Sequence, residues 1–532
     1  MRNEIIENAT SVYTSYKSLP NNLINAEISG IYGSALLSEM NELIELYKIY
    51  ESGADFAVDT SKDYTPSDLK IKKSKHLIDK EARFMFSIPL DINIRPKGKT
   101  LQNIEKDEIV KNISVIQTFI KNVLNKNNFN NGLLKAAKDC FIGKRIAIIA
   151  NFNDDGITIS FCPSLEFVYD VDIKDFNKMT KIVCFFTLED SEDKNEQRIY
   201  KKKYWLADDG YCHVNEAIYN GKGEEIEVIY EDLTTKFTYI PAVVIVNDGL
   251  TGDLNGSSDI GEVYEFESVY SKLDNADVDA ERQGMSQIKY AIDVAPESTK
   301  NLKIAPGAFW DLTSDINNEK TGKVGTLDNN MSYSDALGNT LKRIETNMYE
   351  QLDVPNTNIE NIKGLITSGK GLKSLYWPMI VRCNEKMLVW LSKLEFLIRC
   401  LIDGALLYPN SYKNYIYGEK LPKMDYDVEI VNNYALPEDE IEEKTMDIQE
   451  VNSQAMSRKA YMKKWRNLTE EEADKELKQI ALERQLLEDT FYESDSDETN
   501  DLTNDLTNKM TNDQANNGNG VTKGISELRD NV

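Results

Sequence analysis

The chain has 532 residues, 41% of them hydrophobic, and its 62 basic against 89 acidic residues give a formal net charge of −27. This length exceeds what one hydrophobic core fills, and the hydrophobic content is that of a folded protein, so we expect several folded units and exclude a wholly disordered chain. The acidic balance excludes a protein that binds nucleic acid through a generally basic surface, but it is compatible with locally basic sites.

The cysteines and histidines predict neither a disulfide framework nor a metal site. The six cysteines are widely spaced without a C-x-x-C pair, which is typical of reduced residues in a cytosolic protein. The N-terminus lacks the apolar run of a secretory signal, and charged residues interrupt the most apolar stretch, 387–402. We therefore expect no cofactor, no metal and no membrane contact.

The first half of the chain predicts helices followed by an antiparallel sheet. Apolar residues recur at helical spacing over 33–51 and 67–86, where Ser67 is a candidate N-cap and Pro89 ends the helix. Two further helices are predicted near 108–126 and 132–142. The pattern changes to period two from Leu90, where Leu90, Ile92 and Ile94 alternate with polar residues, and turn sequences such as N-D-D-G separate the strands that follow these helices. The predicted strands are 145–152, 157–161, 165–171, 180–188, 198–206, 211–219, 225–231 and 238–246. The fold class predicted is α+β.

Two long helices with a small β segment between them follow the sheet. The first is predicted over 260–288, and its narrow apolar stripe suits packing on one side only. Short strands and turns occupy 292–330, and the second helix is predicted over 334–352.

A third long helix and a set of C-terminal helices complete the prediction. An apolar stripe runs for about thirty residues from Leu372, with Pro378 either starting the helix or kinking it. A strand over 426–432 follows, and Thr469 with Glu472 forms a capping box for the last helix.

The segment between the second and third long helices has an unusual charge pattern. No acidic residue lies between Glu360 and Glu385. The basic residues in this window are Lys363, Lys370, Lys373 and Arg382. Gly364 to Lys370 has the spacing of a phosphate-binding P-loop, but Gly371 stands where a magnesium-binding Ser or Thr is required. A P-loop follows a buried strand, whereas the residues before this segment are polar. An ATPase is therefore only a minor alternative.

Catalytic groups are sparse elsewhere in the chain. His76 lies beside three lysines on a predicted helix, which indicates a solvated basic face. The acid pairs Asp154-Asp155 and Asp208-Asp209 stand in turn sequences, where aspartate is favoured for its conformation. We expect no catalytic residue and no enzyme activity.

Four segments occur in an order that is typical of one family. Residues 74–89 form an early helix that leads to a proline turn, and 240–270 lead into the first long helix. T-S-G-K-G-L-K at 367–373 is close to an S-G-x-A-L-K motif, with Gly371 in place of alanine, and 457–484 form the C-terminal helices. In this order the segments resemble the portal proteins of tailed double-stranded DNA bacteriophages, of the type common in phages of Gram-positive hosts. The resemblance covers residues 30–490.

This resemblance implies a portal fold with a wing, a long-helix stem, a small β clip, a tunnel loop and a helical crown. The implied segments are wing 1–255, first stem helix 256–291, clip 292–330, second stem helix 331–352, tunnel loop 353–371, long helix and wing completion 372–435, crown 436–490 and a disordered tail 491–532.

The resemblance also implies a function. Portal proteins form a ring, usually of twelve copies, at one capsid vertex and conduct DNA during packaging and ejection. The implied partners are double-stranded DNA, the terminase large subunit, the major capsid protein, scaffold and head-tail adaptor proteins, and the implied location is the virion after assembly in the host cytoplasm. Another ring-forming capsid or scaffold protein is the main alternative.

Particular residues follow from the resemblance and the charge pattern. The tunnel-loop candidates for facing DNA are Lys363, Lys370 and Lys373, and weaker candidates on the second stem helix are Lys342 and Arg343. The glycines expected to act as loop hinges are Gly364, Gly369 and Gly371. The alternative for each cation is an ion pair or plain exposure to solvent, and Lys342 and Arg343 have Asp274, Asp277 and Asp279 of the first stem helix as candidate partners.

Overall fold

A computed structural model describes residues 40–494 except for 59–60, 62–63, 98–105, 190–196, 251, 286–287, 296, 298–311, 315–320, 328–331, 358–368, 417–419, 435–439 and 467. The chain divides into two compact units, Met1–Pro437 and Glu438–Val532. The predicted tail lies almost wholly outside the described residues.

Four helices open the described part of the first unit. They are α1 (Met40–Ser52), α2 (Lys73–Phe86), α3 (Lys106–Lys126) and α4 (Phe129–Gly143). Helix α2 begins later than predicted, and Ser67 is not its N-cap. The backbone N–H and the hydroxyl of Ser67 instead donate to Asp279 Oδ1, at 3.0 and 2.7 Å. The prediction was wrong because a distant carboxylate, invisible to local pattern, satisfies this serine.

One antiparallel sheet was predicted after these helices, and the structure has two. Their strands are β2 (Arg145–Asn153), β3 (Gly156–Pro163), β4 (Phe167–Val171), β5 (Met179–Glu189), β6 (Arg198–Leu206), β7 (Cys212–Asn220), β8 (Glu225–Thr234) and β9 (Ala242–Val246). The three-stranded sheet has the order β3-β2-β9 and the five-stranded sheet the order β4-β5-β6-β7-β8. The N-D-D-G turn joins β2 to β3, with Asn153 paired to Gly156, which confirms the hairpin.

A further sheet joins distant parts of the chain. Strand β1 (Asp91–Pro96) pairs antiparallel with β12 (Tyr426–Val431), so that Asp91 lies opposite Val431. Residues after the third long helix therefore return to the first unit's N-terminal half.

The long helices are α5 (Asp259–Met285), α6 (Ser334–Gln351) and α7 (Gly369–Leu407). Between α5 and α6, β10 (Ile288–Ile292) and β11 (Lys323–Leu327) form an antiparallel pair. Pro378 lies inside α7, so it does not start this helix. Met379, Trp390 and Leu401 of α7 are fully buried in the main core with the sheets and α2. None of the helices described is long and apolar enough to cross a membrane.

The second unit contains α8 (Glu440–Asn452), α9 (Arg458–Arg466) and α10 (Glu470–Ser494). The capping box of α10 is confirmed, because the Thr469 N–H donates to Glu472 Oε2 at 2.9 Å and the Glu472 N–H donates back to Thr469 Oγ1 at 3.4 Å. Helix α9 carries five basic residues among nine, and acids of the two flanking helices neutralise several of them. The ion pairs are Lys464 with Asp447, Lys459 with Asp474 and Arg466 with Glu476.

Candidate functional site

The basic segment predicted to be a loop lies between α6 and α7. Residues 358–368 are outside the described part of the chain, and with them Lys363 and Gly364. Helix α7 begins at Gly369, so Gly369, Lys370 and Gly371 lie in its first turn. Lys373, one turn further on, is exposed. The structure therefore places two of the three candidate lysines at the N-terminal end of the longest helix.

The chain that enters this segment is fixed to α2 and α5. Val354 is buried with Leu77 of α2 and Val263 of α5 in a small apolar cluster. The Lys80 ammonium of α2 donates to the carbonyl of Pro355 and to Thr357 Oγ1, the latter at 3.2 Å. Burial lowers the pKa of the Lys80 ammonium. The hydrogen bonds from Lys80 therefore fix the first residues of the segment to α2.

The chain that leaves the segment is held by a buried ionic cluster, which consists of Glu81 of α2, Asp259 of α5, and Arg382 and Lys386 of α7. Arg382 Nε lies 3.1 Å from Glu81 Oε1, and its Nη2 lies 3.0 Å from Asp259 Oδ1. The Lys386 ammonium contacts both carboxylates, at 2.8 Å from Glu81 Oε1. Two cations and two anions therefore balance inside the core.

Burial and charge act against each other on these four groups. Burial raises the pKa of the Glu81 carboxyl, and repulsion by Asp259 adds to the effect, although Lys386 and Arg382 oppose it. Burial acts in the same sense on Asp259, but Lys386 and Arg382 outweigh it and hold the pKa of that carboxyl below its usual value. Asn247 Nδ2 also donates to Asp259 Oδ1 at 3.0 Å. Lys386 keeps its proton because the two carboxylates outweigh burial and raise its pKa.

Adjacent residues of α2 thus hold both ends of the basic segment. Lys80 fixes residues 355 and 357 at its beginning, and Glu81 fixes Arg382 and Lys386 after its end. Neither Lys80 nor Glu81 is among the site residues predicted from the sequence. The only sequence signal for the cluster is that Arg382 and Lys386 interrupt an apolar stripe one helical turn apart.

The two weaker candidates lie on α6. Lys342 and Arg343 are exposed, and neither forms an ion pair with any residue in the described part of the chain, Asp274, Asp277 and Asp279 included. Asp279 instead binds Ser67 and lies 3.5 Å from Arg282. Both cations therefore carry a charge that no described residue neutralises.

The described residues before the basic segment do not form the strand that precedes a P-loop. The described elements before the basic segment are helix α6 and an irregular stretch to Thr357, whereas a P-loop follows a buried strand. Within the ranges described above, no cluster of three or more His, Cys, Asp or Glu side chains suits a metal ion. His76 is exposed, in line with the solvated face predicted for it.

Comparison with known proteins identifies the family. The family model described as "Phage portal protein, SPP1 Gp6-like" matches residues 34–486, which is most of the chain. No curated protein is significantly similar to it.

Proposed function

Because the chain belongs to the SPP1 Gp6-like family of phage portal proteins, we propose that it forms a ring of twelve copies at one capsid vertex and conducts DNA during packaging and ejection. The family is one of oligomeric structural proteins of the phage capsid, not of enzymes. The single observation that carries the proposal is the match over residues 34–486, which spans the sheets, the long helices and the C-terminal helices together.

In this proposal the basic segment contacts the DNA backbone. Lys363, Lys370 and Lys373 offer phosphate contacts that any base sequence satisfies, as a conduit requires. The formal charge of −27 on each copy keeps the rest of the surface from retaining the polyanion. Exposed Lys342 and Arg343, without partners among the described residues, offer a second set of weak contacts. Gly364 would allow the segment to adjust to the moving duplex, and Gly369 and Gly371 would weaken the first turn of α7, in which they lie.

The remaining assignments follow the family's architecture. We assign 1–255 to the wing, 256–291 and 331–352 to the stem, 292–330 to the clip, 353–371 to the tunnel loop and 436–490 to the crown. The clip would receive terminase during packaging and head-tail adaptor proteins afterwards. The major capsid protein and scaffold would contact the chain at the vertex.

Electron microscopy of the purified protein tests the ring. We expect closed rings with a central hole, and a native mass twelve times the 60.6 kDa of one chain. Closed shells would favour another capsid or scaffold protein, and compact monomers at high concentration would contradict the oligomer.

A charge-reversal variant tests the DNA contacts. We expect Lys363→Glu/Lys370→Glu/Lys373→Glu to form normal rings but to reduce the packaged DNA per head at least about tenfold, since three phosphate contacts per copy become repulsive. The matched control reverses three exposed lysines far from the segment in sequence, Lys413, Lys420 and Lys423. Equal packaging by both variants would refute a role for the basic segment, and tight magnesium-dependent ATP binding that Lys370→Ala abolishes would favour the ATPase.

A further inference from the structure

Strand β8 is an exposed edge of the five-stranded sheet. It is the last strand in the order β4-β5-β6-β7-β8, and all ten of its residues are exposed. Five large apolar side chains on it are between 40% and 52% exposed. They are Ile226, Val228, Ile229, Tyr230 and Leu233. An apolar strand with unpaired backbone groups on one side favours contact with another polypeptide.

An apolar groove lies at the opposite edge of the same sheet. It encloses a cavity of 930 Å³ between β4, the turn into β5, β9 and helix α7. Val171, Met179 and Val243 are among the apolar residues that line it, together with Phe176 and Phe396, which are 44% and 39% exposed. The groove therefore offers depth for apolar side chains and two aromatic rings that water now contacts.

The two surfaces have opposite charge. Strand β8 carries four acids and no basic residue. The groove is lined by Lys178 and Lys393 and by one acid, Asp253. Lys393 is half-buried, and no described residue forms an ion pair with it. Burial lowers the pKa of its ammonium group, so a carboxylate brought close to it would be stabilised.

These surfaces cannot meet within one chain. Strands β5, β6 and β7 separate β4 from β8, so the edges lie about 19 Å apart at the usual strand spacing. Two complementary patches on opposite sides of a protein generate a head-to-tail contact, and such a contact produces a ring when the rotation between successive copies closes. Pairing of β8 with β8 would give a two-fold dimer instead, which does not propagate around a ring.

We propose that β8 of one copy docks in the groove between β4, β5 and α7 of the next copy, and that this contact joins neighbouring wings of the assembly. This inference rests on the proposed ring, and it adds which surfaces face each other. The occupant is a second copy of this chain, because the family is oligomeric and the chain carries both halves of the contact. The apolar side chains of β8 would fill the groove. Asp232 and Glu227 already pair with His213 and Arg198, so Glu225 and Glu231, which form no ion pair with a described residue, would neutralise Lys178 and Lys393.

Site-specific photocrosslinking tests the contact. Phe396→p-benzoylphenylalanine replaces one exposed aromatic ring by another that reacts with any neighbour within a few ångströms. After irradiation of assembled protein, we expect a crosslink between two copies, mapped by mass spectrometry to residues 225–234 of the second copy. Tyr290→p-benzoylphenylalanine, on the exposed β10–β11 pair, is the matched control and should not react with that peptide.

A second variant pair measures the strength of the contact. We expect Val228→Asp/Tyr230→Asp to lower the fraction of assembled protein at least about tenfold at a concentration where the native chain is half assembled. Exposed Ile292→Asp on β10 is the control for adding a carboxylate to an apolar surface.

The outcomes separate this inference from the proposed function. Intact rings with a crosslink elsewhere, or rings in which Phe396 stays uncrosslinked, would overturn the contact and leave the ring standing. In that case the acids and register shifts of β8 serve only to keep the edge from aggregating. Absence of any oligomer in the native chain would contradict the ring itself.

Discussion

Among substitutions in α7 that keep the size of the side chain, Lys386→Met should be one of the most destabilising. Methionine fills nearly the same volume but cannot donate to Glu81 and Asp259. Both carboxylates are completely buried, and only Arg382 would remain to balance them. The variant therefore leaves a net negative charge in the core.

The expected magnitude follows from the cost of an unpaired buried charge. Removing one partner of a buried ion pair costs about 3–5 kcal/mol. The entropy of unfolding is about 2.1 cal/mol/K per residue, so a folded unit of about 400 residues has an unfolding entropy on the order of 0.8 kcal/mol/K. The melting temperature of Lys386→Met should therefore fall by about 4–6 °C.

Differential scanning fluorimetry at matched protein concentration measures this shift. Lys342→Met is the control, because Lys342 is exposed and has no ion pair with a described residue. Its melting temperature should change by less than about 1 °C, as for most surface substitutions.

The double variant Asp259→Asn/Lys386→Met gives a sharper test. It leaves Glu81 with Arg382, a neutral pair, so its loss should be smaller than the sum of the two single losses by about 1–3 kcal/mol. A shift below about 1 °C for Lys386→Met, or strict additivity in the double variant, would refute the reasoning that charge balance holds this cluster.

Three further predictions concern other parts of the first unit. In α7, Gly404→Ala should lower the free energy of unfolding by about 1–3 kcal/mol, because the new Cβ would lie 2.1 Å from the Phe152 ring, whereas Gly338→Ala in α6, where a Cβ meets nothing within 4 Å, should raise it by about 0.5–1 kcal/mol. Thermal melts of the two variants measure this, and a more stable protein in both cases would contradict it. Hydrogen bonds from the His213 ring to the Asp209 and Asp232 carboxylates raise the pKa of His213, so the stability that this pairing contributes is present below the ordinary value of about 6.5 and is lost as the pH rises through the folded value. Histidine hydrogen–deuterium exchange should show a lower midpoint in Asp209→Asn, and an unchanged midpoint would refute the pairing. Asp279→Ala should increase amide hydrogen exchange over residues 64–70, because Asp279 accepts two hydrogen bonds from Ser67 in this segment, and the control Asp274→Ala should leave the exchange unchanged. Equal exchange in the two variants would show that Asp279 does not hold this segment.

Local pattern was sufficient for most of the elements. The hairpin of β2 and β3 depends on alternating side chains and on one turn sequence, and both are contained in residues 145–163. The same holds for the capping box at Thr469, whose two hydrogen bonds join residues three positions apart. Short-range hydrogen bonds and side-chain periodicity depend only on neighbouring residues, so a single sequence is sufficient to predict them.

Long-range pairing was not predictable in the same way. Alternation in 90–94 and in 426–432 indicates two strands, but nothing in either indicates that Asp91 lies opposite Val431. Ser67 has the composition of an N-cap, and only the fold brings Asp279 to it. The ionic cluster joins charged residues from three helices, and the local sequence around each of these residues indicates an exposed position. Such contacts depend on chain topology, which no local window contains.

The cluster also changes what the basic segment can do. Its glycines suggest free movement, but Lys80 and Glu81, adjacent on α2, hold the chain on both sides of it. Displacing either end would require breaking buried or partly buried charged contacts, so the described residues on both sides of the segment form a fixed frame. In the proposed conduit, this frame would keep the lysines of the segment at one level of the channel while different phosphates pass them. Contacts with phosphates alone carry no base specificity, so a fixed position for the cations is compatible with any DNA sequence.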